Sequence, residues 1–267
     1  MNRERIFINY FKGVNEMVSS RVTLRQFGQP QTPRELEAYL NLYIVGQSAA
    51  KRLLVTKLCT HLARVNYEER LGKEKDEGLL LQEKPHMLFI GPTGTGKTRM
   101  ITLATQRLGI PLSSEDATKL TASGYIGGKV ENVVRRLYFA GGKDLAAAER
   151  GIIYIDEIDK IASPFVTGRD VGGRQVQEEL LTLMQGTRVR FGESHVTSKE
   201  DDFFIDTSRV LFILSGAFKG LDEIVADRKK GRIGFGRDFF DNEEDNDSIL
   251  LEDLVKYGMD AQLLGRV

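Results

Sequence analysis

Residues 86–98 read HMLFIGPTGTGKT, and this stretch decides the fold. The apolar run 86–90 predicts a short buried strand, and the glycine-rich run 91–98 matches the phosphate-binding pattern G-x-x-x-x-G-K-[ST]. Apolar residues at helical spacing follow the loop as far as Gly109, a residue typical of helix ends. A strand, a glycine-rich loop and a helix in this order form the context in which the pattern binds the phosphates of a nucleotide.

The glycine-rich loop supplies the groups that bind a nucleoside triphosphate and its metal ion. Glycines let backbone N–H groups point at phosphates, and the positive end of the following helix lies behind them. Lys97 is expected to reach the β- and γ-phosphates, and the hydroxyl of Thr98 to ligate Mg²⁺. We therefore predict a nucleoside triphosphate and Mg²⁺ as cofactors. The predicted nucleotide-binding residues of the loop are Pro92, Thr93, Gly94, Thr95, Gly96, Lys97 and Thr98.

A second apolar strand ends in acidic residues. Residues 151–161 read GIIYIDEIDKI, so Asp156 and Glu157 follow directly on a buried run. Asp156 is suited to the coordination sphere of Mg²⁺, and Glu157 to orienting and deprotonating the attacking water. These carboxylates imply hydrolysis rather than binding alone, while Asp159 and Lys160 are expected to hold the local structure.

The remaining pattern predicts the architecture. A third apolar strand candidate lies at 209–214, and apolar strands alternate along the chain with amphipathic helices. This alternation predicts an α/β domain of the P-loop NTPase class, with a mostly parallel sheet covered by helices on both faces. Residues 1–32 have no clear period and are assigned as an arm of unknown role, and 33–267 as the nucleotide-binding domain.

Composition excludes several classes of protein. Among 267 residues, 41% are hydrophobic and 28% charged, as in globular chains. The 38 basic and 38 acidic residues give a net charge of zero, which disfavours nucleic acid as a partner. The longest apolar run is five residues and no secretory signal begins the chain, so we predict no membrane association and a cytoplasmic location. One cysteine and three histidines are too few for a structural zinc site.

Several segments in a common order resemble the ClpX family of hexameric AAA+ protein unfoldases, which feed the ClpP peptidase. The similarity runs from about Thr32 to the last residue. It includes PREL at 33–36, IVGQ at 44–47, both nucleotide motifs described above, VENV at 130–133 and LFILSGAF at 211–218. The resemblance implies the large AAA+ subdomain of an ATP hydrolase that threads unfolded or tagged proteins through an axial pore into a ClpP-type peptidase.

The resemblance also implies roles for further residues. Ser215 would sense the γ-phosphate, and Arg266 would be an arginine finger, a catalytic residue supplied to the neighbouring subunit. The aromatic Tyr125 in the implied pore loop suits gripping a polypeptide backbone without reading its sequence. The implied segments are Ile44, Val45 and Gly46 around adenine, Gly124, Tyr125, Ile126 and Gly127 in the pore loop, and Ile233, Gly234 and Phe235 in the peptidase-docking loop.

Other segments depart from the family pattern. The family's N-terminal zinc-binding module needs four cysteines, and Cys59 is the only one in this chain. Residues 192–202 read GESHVTSKEDD, with four acids where the family often has a basic loop, which argues against recognition of a carboxylate-ended tag. Residues 259–261 read MDA where the family usually has Ile-Pro-Glu. Because the chain stops at Val267, we expect the small helical lid to be absent.

Three functional readings remain. The first is the ClpX-type unfoldase, which would form a homo-hexamer when the lid is present. The second is a nucleotide-binding regulatory or docking module with little turnover, because a chain without its lid is expected to be largely monomeric and to bind ATP weakly. The third is a nucleic-acid motor on the same fold, which the acidic run 192–202 disfavours. ATP turnover that rises with an unfolded protein would separate the first from the second.

Overall fold

The computed structural model describes residues 32–71, 84–121, 128–163, 171–191, 203–231 and 248–267. The α-helices among them are α1 (Pro33–Asn41), α2 (Ser48–Leu71), α3 (Lys97–Leu108), α4 (Asn132–Ala140), α5 (Leu145–Glu149), α6 (Val171–Gln185), α7 (Leu221–Gly231), α8 (Leu251–Tyr257) and α9 (Ala261–Leu264). The strands are β1 (Met87–Ile90), β2 (Leu112–Asp116), β3 (Leu120–Thr121), β4 (Gly128–Lys129), β5 (Ile152–Asp156), β6 (Arg188–Phe191), β7 (Phe203–Asp206) and β8 (Leu211–Gly216).

The central sheet has four parallel strands in the order β1-β8-β5-β2. Phe89 is paired with Ser215, and Asp116 with Asp156, so the strands end at a common edge. The predicted α/β architecture with a mostly parallel sheet is therefore confirmed. The sequence pattern did not predict the antiparallel pair β6–β7, and it placed the start of β8 too early, because a 3₁₀ turn occupies Thr207–Arg209.

Two apolar clusters cover the faces of the sheet. Alternate residues of β5 and β8 enter opposite clusters, since successive side chains of a strand point to opposite faces. One cluster includes Ile152, Tyr154, Leu211, Ile213, Leu58 and Met100. The other includes Ile153, Ile155, Phe212, Leu214, Leu137 and Leu180. Burial on both faces explains why these strands are nearly continuous apolar runs.

Local signals determine where the first helix begins. The hydroxyl of Thr32 accepts a hydrogen bond from the backbone N–H of Glu35 at 3.3 Å, and the carboxylate of Glu35 accepts one from Thr32 N at 3.1 Å. With Pro33 in the first turn, this is a complete capping box. Within the ranges that the structure describes, no helix has the length and apolar character needed to cross a membrane.

Candidate nucleotide site

The carboxyl ends of the central strands border an open cavity of about 390 Å³. Parallel strands bring their carboxyl ends to one edge, which is where open α/β sheets bind ligands. The residues that line the cavity are Thr93, Gly94, Thr95, Gly96, Lys97, Thr98, Arg99, Asp156, Glu157, Asp159, Lys160, Ala217 and Lys219. Both nucleotide motifs identified in the sequence thus face a single cavity.

The glycine-rich loop has the backbone that phosphate binding needs. Gly94 and Gly96 have φ values of 82° and 87°, a left-handed conformation that side chains disfavour. The ammonium of Lys97 donates to the carbonyl oxygens of Gly91 at 2.6 Å and Pro92 at 2.9 Å. The loop therefore holds a positive charge at the start of α3, beside the N–H groups of that helix.

Thr98 and Asp156, the two expected magnesium ligands, contact each other directly. The hydroxyl of Thr98 donates to Oδ2 of Asp156 at 2.8 Å. Oδ1 accepts from the hydroxyl of Ser215 at 2.5 Å and from the backbone N–H of Glu157 at 2.9 Å. Burial alone would raise the pKa of Asp156, but the hydrogen bonds from Ser215, Thr98, Tyr154 and Glu157 outweigh it and hold the pKa below its ordinary value.

This oxygen cluster fits a magnesium ion. A charged carboxylate next to a hydroxyl is the donor set that Mg²⁺ uses alongside nucleotide phosphates and water. Among the described residues no group of three or more His, Cys, Asp or Glu side chains forms a metal cage, and Mg²⁺ at a nucleotide does not need one. Thr98 and Asp156 are therefore the residues that could hold the metal.

Tyr154 is a member of this cluster that sequence reasoning missed. Its hydroxyl lies 2.7 Å from the hydroxyl of Ser215 and 3.1 Å from that of Thr98. Burial raises the pKa of Tyr154 to about 12, so the phenol keeps its proton at neutral pH. The sequence counted Tyr154 as one more apolar strand residue, and the only signal was a phenol in a run of isoleucines.

Ser215, the expected γ-phosphate sensor, lies beneath the cavity surface. Its side chain is fully buried, at the end of β8. It reaches the cavity through Asp156, to which its hydroxyl donates. A direct contact between Ser215 and a phosphate therefore remains a prediction that this geometry does not supply.

Glu157 is exposed at the cavity and has an unusual backbone. Its φ of 56° is left-handed, a conformation that residues other than glycine adopt at a cost of order 1 kcal/mol. The turn places its carboxylate in the cavity lining, while its backbone N–H still donates to Asp156. This position suits a group that must meet a water molecule.

Asp159 holds the turn after β5 against the end of β8. It is 6% exposed, and its Oδ1 accepts from the backbone N–H of Ala217 at 3.1 Å. A Cβ on Gly216 would lie only 2.6 Å from the same oxygen, so glycine is required for this close approach. The structural role expected for Asp159 agrees with these contacts.

The expected adenine segment lies beside the phosphate loop. Ile44 is buried and Val45 is exposed, and the side-chain amide of Gln47 donates to the carbonyl oxygen of Thr95. Buried Lys51 donates to the carbonyl oxygen of Ile44 at 3.1 Å. These two bonds hold Ile44, Val45 and Gly46 next to the loop. The sequence analysis did not identify Gln47 or Lys51 as the residues that position this segment. Adenine contact itself remains a prediction.

Of the other predicted site residues, the structure describes Arg266 but not the two implied loops. Arg266 is exposed just after α9, and it is not part of the cavity lining of its own chain. The implied pore loop (Gly124, Tyr125, Ile126, Gly127) and docking loop (Ile233, Gly234, Phe235) lie outside the described residues, as do residues 192–202 and the arm up to residue 31.

Comparison with known proteins gives consistent matches. The family model "AAA domain (Cdc48 subfamily)" matches residues 82–267. The chain is 39% identical over 254 residues to "ATP-dependent Clp protease ATP-binding subunit ClpX" of Treponema denticola, covering 90% of this chain and 59% of the relative. Proteins of the same name from Borrelia duttonii and Borrelia recurrentis are each 37% identical over 274 residues, covering 98% of this chain and 62% of the relative. The chain spans about three fifths of the length of these relatives.

Proposed function

The chain belongs to the AAA domain family and is of the ClpX type, and from this premise we propose that it is the ATP-hydrolysing subunit of a protein unfoldase. Residues 33–267 would be its large AAA+ subdomain. The observation that carries the proposal is the contact between Thr98 and Asp156 in the cavity that Lys97 and Glu157 also line. This geometry supports nucleotide hydrolysis more directly than nucleotide storage, because a water-accessible carboxylate lies beside the metal ligands.

Four residues of the cavity would have distinct tasks in hydrolysis. The ammonium of Lys97 would exchange its bonds to Gly91 and Pro92 for the β- and γ-phosphate oxygens. Thr98 and Asp156 would hold Mg²⁺, which neutralises charge on those oxygens when bound. Glu157 would orient the attacking water and accept its proton.

Charge that develops on the transferred phosphoryl group needs a further cation. Arg266 is exposed and outside its own cavity, which suits the predicted arginine finger in a neighbouring subunit of a homo-hexameric ring. Arginine is suited to this task because its planar guanidinium binds phosphate oxygens in a bidentate manner. Hydrolysis in one subunit would thereby depend on the subunit beside it.

We further propose that hydrolysis moves a polypeptide into a ClpP-type peptidase. The support is the order of segments shared with the ClpX family. Tyr125 would contact the polypeptide in the pore, and Ile233 and Phe235 would bind the peptidase. Unfolded or tagged proteins would be the substrates. The second candidate, a nucleotide-binding regulatory module with little turnover, is favoured by no contact in the described residues.

The proposal is tested with the full-length gene product and two single substitutions. Tyr125→Ala should leave ATP hydrolysis near the parent rate but abolish its stimulation by an unfolded protein and slow unfolding. Phe235→Ala should leave unfolding intact but weaken peptidase binding by about 30-fold, the usual loss for a buried aromatic anchor. ATP turnover indifferent to unfolded protein would favour the regulatory module, and unchanged peptidase binding by Phe235→Ala would remove the docking assignment.

A further inference from the structure

Gln177 in α6 joins two segments that are distant in sequence. Its side-chain amide donates to the carbonyl oxygens of Ile161 at 2.8 Å and Gly258 at 3.3 Å, and its Oε1 accepts from the backbone N–H of Asp260 at 2.7 Å. The side chain is 1% exposed, so water does not compete for these bonds. Both amide protons and the carbonyl oxygen are thus used in one buried junction.

The first segment is the turn that follows the hydrolytic carboxylates. Ile161 ends the 3₁₀ turn Ile158–Ile161, which begins directly after Glu157. Asp159 in the middle of this turn is held to Ala217 at the end of β8. A change in the position of Glu157 therefore passes to Ile161 through a short, tightly bonded turn.

The second segment leads to the arginine at the end of the chain. Gly258 and Asp260 connect α8 to α9, and the carboxylate of Asp260 caps α9 by accepting from Gln262 N at 2.8 Å and Leu263 N at 2.9 Å. Leu263 is fully buried, which fixes the helix against the domain. Arg266 follows this helix and is exposed, so the position of Asp260 determines where Arg266 projects.

Two further contacts join the same regions. The backbone N–H of Ser163 donates to the carbonyl oxygen of Gly258 at 2.9 Å. The ring of Tyr257 in α8 packs on that of Phe218, which follows β8, with ring centroids 5.2 Å apart. The turn after Glu157 and the segment before Arg266 are consequently one bonded unit, with the Gln177 amide at its centre.

We propose that Gln177 is a positioning residue that couples the Glu157 turn of one subunit to the placement of Arg266 in the site of the next. This inference rests on the proposed function, since it takes Arg266 as a finger in a ring. A buried amide with three partners cannot follow one segment without breaking its bonds to the other. A displacement of about 1 Å in a catalytic group can lower the rate on the order of 100-fold. A small movement of this junction should therefore change the rate of ATP hydrolysis.

The test is complementation between two variants of the full-length gene product. Gln177→Met keeps the length of the side chain and removes all three hydrogen bonds, and Glu157→Gln removes the base but keeps Gln177 and Arg266. Alone, Gln177→Met should hydrolyse ATP about 10-fold more slowly than the parent and bind a fluorescent ADP analogue within about 3-fold of it. In mixed rings, a Glu157→Gln subunit presents a correctly placed Arg266 to the site of a Gln177→Met neighbour, which keeps Glu157. The mixture should therefore hydrolyse ATP several-fold faster than the mean of the two separate proteins.

A mixture of the Arg266→Ala and Glu157→Gln variants is the reference for the arginine finger, because each variant keeps the group that the other lacks. If this reference mixture shows no gain, the finger assignment in the proposed function is wrong, and the coupling fails with it. If the reference mixture gains activity and the Gln177→Met mixture does not, Gln177 acts within its own site, and only the coupling is overturned. A gain in both mixtures supports the coupling.

Two more variants separate coupling from loss of fold. Thr207→Val is a matched control, because Thr207 is fully buried and bonds the carbonyl oxygen of Leu183 near the carboxyl end of α6. It should hydrolyse ATP near the parent rate, and a loss like that of Gln177→Met would overturn the proposal. If Gln177→Met does not fold, Gln177→Asn replaces it, since its neutral amide is one methylene too short to bond both segments at once. Gln177→Asn should show the same gain on mixing, and a folded variant without it would again overturn the coupling.

Discussion

The two edges of the central sheet bury polar groups in opposite ways. At the carboxyl edge, the hydroxyls of Thr98, Tyr154 and Ser215 converge on Asp156, and the cluster borders an open cavity. At the amino edge, the rings of His61 and His86 are buried and the ammonium of Lys84 is half-buried. The carboxyl edge thus presents a negative charge that can bind a cation, whereas the nitrogens of the amino edge form hydrogen bonds between elements of the fold.

Backbone groups are the hydrogen-bond partners of these three side chains at the amino edge. The ring of His86 accepts from Phe212 N at 3.0 Å through Nδ1, so its Nε2 donates to the carbonyl oxygen of Met184 at 3.3 Å. The Nε2 of His61 lies 3.0 Å from the carbonyl oxygen of Arg150, and Lys84 donates to that of Thr207 at 3.2 Å. Burial lowers the pKa of His61 to about 4, of His86 to about 3 and of Lys84 to about 8. Neutral histidines therefore hold this edge together.

The comparison predicts that the carboxyl edge controls rate without controlling stability. Glu157→Gln should lower ATP hydrolysis by at least about 100-fold, the lower range for a positioned base, because the amide cannot accept a proton from water. ATP and Mg²⁺ binding should persist, since Thr98 and Asp156 are unchanged. Phosphate release and nucleotide binding measured on the full-length gene product check both parts. Hydrolysis near the parent rate would remove Glu157 from the mechanism.

The amino edge should control stability in acid. Unfolded histidine binds a proton near pH 6.5, whereas buried His86 binds one only near its lowered pKa of about 3. Between these values the unfolded state holds more protons, so stability falls as the pH falls, by about 1.4 kcal/mol per pH unit for each such histidine. From pH 6.5 to 5.0 His86 alone should cost about 2 kcal/mol. The lowered pKa of Asp156 lies below this window, so the carboxyl edge should not contribute there.

His86→Gln tests this assignment, because its amide can accept from Phe212 N and donate to the carbonyl oxygen of Met184 without titrating. Urea unfolding between pH 7.5 and pH 5.0 should show a shallower decline for the variant, with ATP hydrolysis at pH 7.5 unchanged. His61→Gln is the companion variant, since His61 is equally buried and bonds Arg150. Equal pH slopes for the parent and His86→Gln would show that His86 does not govern acid stability.

The sequence predicted more of the residues at the carboxyl edge than at the amino edge, for a physical reason. Phosphate chemistry needs glycine, lysine and carboxylates at fixed spacing, so Lys97, Asp156 and Glu157 were identifiable, and apolar runs indicated the parallel strands. Gln177 and His86 bond backbone groups far away in the chain, and such pairings leave no local pattern. Tyr154 was hidden because one side chain serves both the core and the site.

The hydroxyl of Tyr154 belongs to the oxygen cluster, while its ring packs in the core. Removal of the hydroxyl should therefore have a smaller effect than removal of the base at Glu157. Tyr154→Phe keeps the ring in the core and removes the contacts to Ser215 and Thr98. Thr98 and Ser215 would still donate to Asp156, so ATP binding in Mg²⁺ should weaken by about 5-fold, within the range for one hydrogen bond. Titration of ATP at several Mg²⁺ concentrations measures this, with Tyr257→Phe as a control outside the oxygen cluster. Unchanged affinity would mean that Asp156 is positioned without the phenol.

The smallest effect is expected at Gln47, where a side-chain contact and backbone strain can be separated. Gln47 donates to the carbonyl oxygen of Thr95, and its φ of 51° is left-handed. Gln47→Ala and Gln47→Gly both lose the amide, so both should bind ATP about 3-fold more weakly. Glycine adopts a left-handed φ without the steric cost that alanine carries, so Gln47→Gly should be more stable than Gln47→Ala by about 1 kcal/mol. Thermal unfolding and ATP titration of the pair measure the two effects independently. If ATP affinity followed stability rather than the amide, the Thr95 contact would have no role in holding the phosphate loop.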